Sequence, residues 1–345
     1  MHQSRKPRRP WLRRPRWWEI ATAAALLAMP VVIVLVRDLP ARTPACTRSA
    51  ELVPSCGVLL GITPPDPSLA SLAAVEKTLG HRFALVHTFH DIDDAVPSAY
   101  ERALAARGTV LHISIDPRVY GEALGTITWA AIAAGEYDDP LTRDAEGIAS
   151  LHRRVFVSFD HEPDQGAKAA EGSPADFVAA WRHVHQLFEH AGATNVVWVW
   201  VVTGWAGSAG TALQMWPGNA YVDWISWEAY DNRGCNNGGS TAPTGFARAA
   251  LTFEHWLRAH GPAVGMDLDK PMMISEAGTA VRPGAALDTG WFAQMQRVLR
   301  HNRQIKAITW WDHTGSNPGC DFTFTTTPAL AAAASSAAKL PWFGH

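Results

Sequence analysis

The chain has 345 residues, is 47% hydrophobic and 18% charged, and carries a formal net charge of −2. That is ample for one large core or for two small ones. Residues 1–37 have a balance of +7, which leaves about −9 on residues 38–345; an acidic body argues against nucleic acid as the partner.

Arg5, Lys6, Arg8, Arg9, Arg13, Arg14 and Arg16 precede an uncharged run from Ile20 to Val36. That length is at the lower limit for a helix that spans a bilayer. Trp17 and Trp18 sit where an interfacial aromatic belt would lie, and the basic flank is expected to stay cytoplasmic. Residues 1–18 therefore read as a cytoplasmic N-terminus and 19–37 as a single-pass membrane anchor, with the body outside the cell. A cleavable signal segment, which would leave the body secreted, is the alternative. Residues 38–56, with Pro40, Pro44 and Pro54, read as a linker.

The cysteines are Cys46, Cys56, Cys235 and Cys320. An even count in an exported chain predicts disulfides. Three pairings are open; Cys46–Cys56 with Cys235–Cys320 is favoured because the first is local and the second ties two late loops. There is no C-x-x-C to suggest zinc or a redox motif.

After Gly57 the pattern becomes regular. Short runs rich in apolar, β-branched or aromatic residues occur at 57–63, 83–90, 109–116, 155–161, 196–203, 222–230, 271–276 and 305–311. Such runs read as strands buried on both faces. Helical patterns lie between them at 68–79, 97–107, 173–191, 244–260, 287–301 and 328–339. In 173–191 the large residues Phe177, Trp181, Val184, Leu187 and Phe188 recur at helical spacing. Ser173 is its expected N-cap, and Gly192 its stop. Eight strands alternating with helices predict a single (β/α)8 TIM barrel over 57–345. An open doubly wound sheet is the rival, but no G-x-G-x-x-G follows the first strand.

In such a barrel the chemistry sits at the C-terminal strand ends. Those ends carry His90, Asp116, Asp160-His161-Glu162, Trp205, Glu228, Tyr230, Glu276, Trp310, Trp311 and His313. Glu162 ends strand four and Glu276 ends strand seven, on opposite sides of the mouth. Two facing carboxyls suit a retaining glycosidase, in which one protonates the leaving oxygen and the other attacks the anomeric carbon. Tyr230 is placed to orient the nucleophile. His90 and His161 are further candidates for binding substrate. Trp205, Trp310 and Trp311 are candidates to stack on sugar rings. Most of the other tryptophans read as core, and His183, His185 and His190 as an exposed helix surface. The mouth histidines match no H-x-H or H-E-x-x-H pattern, so no metal and no other cofactor is expected.

Three blocks carry a resemblance. They are "VFVSFDHEPDQG" with the following "GSPADFVAAWRHVHQLFEHAGATNVVWVWVVTG", then "MWPGNAYVDWISWEAYD", and "KPMMISEAGTA". Together they resemble glycoside hydrolase family 26 over roughly residues 57 to 330. The resemblance implies a retaining endo-acting hydrolase of β-mannans or related β-glycans, an O-glycosyl hydrolase like the mannan endo-1,4-β-mannosidases. It implies Glu162 as general acid/base, Glu276 as nucleophile, His161 as the histidine before the acid/base and Tyr230 as the tyrosine against the nucleophile. Trp310 or Trp311 falls at the family's aromatic position on strand eight. This chain departs from the family at Pro163-Asp164-Gln165-Gly166, where the mannanases have a Met-Asn-Gly-like turn with tryptophans nearby. It departs again at Trp227-Glu228. Both departures bear on the substrate rather than on the catalytic pair.

The expectation is thus a monomeric, membrane-anchored β-glycan hydrolase facing outward. One alternative is a catalytically weak barrel that binds glycan and assists export or modification of a cell-surface polysaccharide. Another is an anchored structural or partner-binding protein with no sugar site.

Overall fold

The computed structural model describes residues 46–118, 126–232, 235, 244–281, 287–314 and 321–343. The expected basic N-terminus at 1–18 and anchor at 19–37 lie outside these residues. Among the described residues no helix is long and apolar enough to cross a membrane.

Eight parallel strands close into a barrel in sequence order. They are β1 (Leu59–Thr63), β2 (Leu85–Asp91), β3 (Val110–Asp116), β4 (Val155–Phe159), β5 (Val196–Val202), β6 (Trp224–Asp231), β7 (Met272–Thr279) and β8 (Ile305–Trp311). Between and after them run α1 (Leu69–Leu79), α2 (Ala99–Ala106), α3 (Trp129–Ala133), α4 (Asp138–Ala149), α5 (Pro174–His190), α6 (Ala209–Gln214), α7 (Phe246–His260), α8 (Gly290–His301) and α9 (Pro328–Ala338). The predicted (β/α)8 barrel is the observed fold. The helices α3 and α4, between β3 and β4, and the short α6 are additions to the predicted set. The N-terminus of α4 has Asp138, Asp139 and Pro140 in its first turn but no side-chain cap at Tyr137, so the strongest start signal is missing.

Helix α5 forms as its sequence dictates. Ser173 accepts from the Asp176 amide, and Asp176 accepts from the Ser173 amide, a reciprocal cap. Phe177, Trp181, Val184 and Phe188 are buried, and Trp181 and Phe188 pack on Trp198 of β5. His185 is buried with them, against the expectation of an exposed face, because its ring lies on Trp198 and Tyr221.

The barrel interior is graded. At its N-terminal end Leu59, Leu85, Val110, Phe156, Val197, Trp224, Met273 and Ala307 form an apolar cluster. One step up, strand alternation brings in buried polar groups, His87, His112, Ser114, Ser158, Ser226 and Thr309. His87 and His112 stack with ring centroids 3.9 Å apart; each bonds a serine hydroxyl on the next strand at 2.8 Å. Gly61 belongs to this layer, since a Cβ there would meet Thr309 Oγ1 at 2.9 Å. The mouth above is charged.

The expected linker is, in its described part, the plug of the barrel. Cys46 and Cys56 are joined by a disulfide. Their loop inserts Leu52 into the lower apolar cluster, and the Glu51 carbonyl accepts from Trp224 Nε1 at 2.7 Å. The Cys235–Cys320 pairing lies outside the described residues, because Cys320 does.

The plug generates a prediction. Replacing Cys46 and Cys56 by serine frees a short loop and is expected to cost about 2–3 kcal/mol, read as a Tm lowered by roughly 4–10 °C in calorimetry. An unchanged Tm would mean the plug does not belong to the cooperative unit.

Candidate active site

A cavity of about 1070 Å³ opens at the C-terminal end of the barrel. Its lining includes Glu162, Glu228, Glu276, Tyr230, His161 and Trp311. Three buried or half-buried glutamates thus share one pocket.

Glu276 reaches the mouth through an irregularity. Trp227 pairs with Ile274, yet Glu228 pairs with Glu276, so Ser275 is an extra residue on β7. Such a bulge shifts the in–out phase of a strand by one position. Met273 faces the interior below it. Without the bulge, alternation from Met273 would turn Glu276 away from the mouth. β7 therefore does not end at Glu276, as the sequence suggested, but continues to Thr279.

Glu162 reaches the mouth through a kink. β4 ends at Phe159, and Asp160 and Glu162 then take φ of 49° and 54°. Left-handed backbone at two residues with side chains is costly and persists only where the surroundings over-determine it. The surroundings are visible. The Glu162 amide donates to the Val201 carbonyl at 3.0 Å. Trp129 Nε1 donates to Asp160 at 2.6 Å. Lys168 bonds Asp160 and also donates to the His161 carbonyl at 2.5 Å. Beyond Glu162, buried Asp164 accepts from the Thr203 amide at 2.9 Å, from Thr203 Oγ1 at 2.6 Å and from Ser208 Oγ at 2.6 Å.

The electrostatics follow from burial and crowding. Burial first, then the charges of Glu162 and Glu276, hold the Glu228 carboxyl well above its ordinary range. Burial and the Glu162 charge push Glu276 up to about 8, against the opposing pull of His161 and Tyr230. Tyr230 donates its hydroxyl to Glu276 Oε2 at 2.5 Å. Burial disfavours the imidazolium of His161, but Asp116 outweighs it and the pKa is raised; the two are bonded at 2.9 Å. Asp116 itself is buried, yet His161 and Lys168 keep its pKa below the usual range.

The other expected site residues are distributed unevenly. Trp311 lines the cavity and meets Phe89 edge-on at 5.6 Å. His90 also lines it, tied to buried Glu101 at 2.7 Å. Burial disfavours the charged form of His90, but Glu101 outweighs it and raises its pKa. Trp205 is 69% exposed and lies outside the lining. It follows Gly204, whose φ is +67° and where a Cβ would meet the Glu228 carbonyl at 2.7 Å. Trp310 does not reach the cavity, and this corrects its assignment as a sugar-stacking residue. Strand alternation turns it outward, where it packs on Phe83, Phe292, Phe324 and Phe343. Of the supporting residues, Asp160 was visible as a strand end, while Asp164 and Lys168 were not among the sequence candidates. Asp116 was visible as a strand end, whereas Lys168 sits in an alanine-rich turn with no signal of its own. Among the described residues no cluster of three or more His, Cys, Asp or Glu side chains is arranged to hold a metal ion.

No protein-family model matches the chain. Among curated proteins it is similar to Endoglucanase H of Acetivibrio thermocellus, 25% identical over 280 residues and covering 78% of this chain. The chain spans 29% of that protein's length. Among solved structures it is similar to GH26C from Muricauda sp. MAR_2010_75, with a TM-score of 0.59 and 14% identity, covering 84% of this chain and 90% of the other. It is equally similar to the GH26 β-mannanase BoMan26A from Bacteroides ovatus, with a TM-score of 0.58 and 14% identity, covering 85% and 90%. The chain resembles glycoside hydrolase family 26. At these identities the structural likeness establishes the barrel fold.

The raised Glu276 carboxyl sets a stability prediction. Its pKa rises from 4.5 to about 8 on folding. The folded state then keeps a proton that the unfolded chain releases within that window, so stability falls as pH climbs through it. Glu276→Gln removes this titration. Its Tm advantage over the wild type is expected to grow from pH 5 to pH 8. An advantage that stays flat or shrinks would contradict the assignment.

Proposed function

We propose that the chain is a retaining, endo-acting hydrolase of a β-linked polysaccharide, a β-mannan or a related β-glycan. The observation that carries this reading is the meeting of Glu162, Glu276 and Tyr230 in one cavity at the catalytic end of the barrel. The endoglucanase and β-mannanase among its relatives support it. We further propose that residues 19–37 anchor the barrel at the outer face of the membrane, where polymeric substrate is found.

The proposed reaction has two displacements. The Glu276 carboxylate attacks the anomeric carbon as the glycosidic C–O bond breaks. Glu162 gives its proton to the departing oxygen. Water then attacks the glycosyl-enzyme ester and gives a proton to Glu162, which releases Glu276. The productive state needs a proton on Glu162 and none on Glu276. The Tyr230 hydrogen bond and the neighbouring His161 favour the ionised form of Glu276. Trp311 offers a ring face to a sugar, and the exposed indole of Trp205 is a second candidate on the rim.

One observation favours a second reading. A Glu276 carboxyl pushed up to about 8 is mostly neutral at pH 7, which suits a barrel that binds glycan and turns it over slowly.

Reducing-end release from β-mannan, mixed-linkage glucan and β-xylan separates the two. The proposal expects hydrolysis of at least one polymer, lost in Glu276→Ala and reduced about 10²–10⁴-fold in Glu162→Ala. Activity that persists in Glu276→Ala would sink it. Binding by calorimetry without turnover would favour the second reading.

A further inference from the structure

The segment that carries Glu162 is held from below by one buried cation. Lys168 lies six residues after Glu162, within a 3-10 turn at Gly166–Ala170. Its ammonium bonds the Asp160 carboxylate and the His161 carbonyl, and lies 3.6 Å from Asp116. Asp160 is itself one of the two left-handed residues, and His161 lies between them. An ammonium donor between Asp160 and the next carbonyl closes the turn from Phe159 to Glu162. The cost of placing φ at 49° and 54° is offset by these bonds.

We propose that Lys168 is the positioning residue of the proton-donating carboxylate: by clamping Asp160 and the His161 carbonyl it fixes the backbone from which the Glu162 side chain enters the cavity. This deepens, and rests on, the reading of Glu162 as acid/base. Lys168 touches the cavity wall, yet its ammonium is already taken up by two carboxylates and a carbonyl. Such a residue acts on the reaction through Glu162 rather than through substrate.

A misplaced acid has a distinctive signature. A poor leaving group needs the proton of the acid as its bond breaks. A 2,4-dinitrophenolate departs without it. Loss of positioning is therefore read as a loss of kcat/KM that depends on the leaving group, whereas a collapsed site loses on all substrates alike. A substrate-binding lysine would instead raise KM for both.

The test compares phenyl and 2,4-dinitrophenyl β-glycosides of the sugar released from the polymer that the wild type cleaves. Glu162→Ala is the reference variant. For Lys168→Met, kcat/KM on the phenyl glycoside is expected to fall on the order of 10²-fold, the scale of a small misplacement of a reacting group. The loss on the dinitrophenyl glycoside is expected to be at least tenfold smaller, and Lys168→Arg to recover part of the phenyl activity. Removing a buried cation leaves Asp160 and Asp116 exposed to each other and can unfold the chain. Trp129→Phe, which removes a second side-chain donor to Asp160 without removing a charge, then carries the test with the same pattern at smaller size. Equal losses on both glycosides in a folded variant overturn the proposal while leaving Glu162 in its role, provided Glu162→Ala discriminates. If Glu162→Ala itself shows equal losses, the acid assignment fails, and the Lys168 proposal falls with it.

Discussion

Three glutamates crowd one desolvated mouth, and much of the upper barrel answers that constraint. Glu228 and Glu276 are register partners on adjacent strands, and the Glu162 charge acts on both. Burial and that charge disfavour the ionised forms of Glu228 and Glu276. Around them stand groups that divide the charge: the Tyr230 hydroxyl on Glu276, the His161 ring, and Asp116, which favours the charged form of His161. The cost of this arrangement is borne by the rest of the fold. An apolar lower interior, a disulfide-closed plug and a tryptophan-rich layer between strands and helices supply ordinary cohesion beneath a strained mouth.

Two departures from regular strand geometry deliver the proposed pair. A bulge at Ser275 turns Glu276 inward, and a left-handed kink after Phe159 does the same for Glu162. The kink is a local strain fixed by its neighbours. The kink is fixed on both sides, by Lys168 and Trp129 at Asp160 and by Thr203 and Ser208 at Asp164. The Pro-Asp-Gln-Gly turn that sets this chain apart from the mannanases thus contains one of the anchors. Its aspartate ties the Glu162 segment to the loop that carries Trp205.

The barrel was legible because its strands are short apolar runs at regular spacing, and that pattern has few other uses. Glu162, Glu276 and Tyr230 were legible as polar residues ending such runs, and they line one cavity. Trp310 and Trp311 were not separable, since neighbours on a strand face opposite ways and only the register says which is inward. Helices α3 and α4 were missed for want of a cap on one and of length in the other. Lys168 was invisible because its role comes from Asp116 on β3 and from the kinked segment just after β4, a juxtaposition that no local pattern encodes. The segment before the barrel read as a linker from its prolines, but Leu52 and the Cys46–Cys56 loop belong to the core.

The proposed mechanism requires Glu276 to be the group that bonds to the sugar. Trapping with a 2-deoxy-2-fluoro β-glycoside carrying a dinitrophenyl leaving group, followed by peptide mass spectrometry, tests this directly. The account predicts a single glycosyl adduct on the peptide containing Glu276, accompanied by loss of activity. An adduct on Glu228 or Glu162, or steady turnover to an inverted product with no adduct, would contradict it.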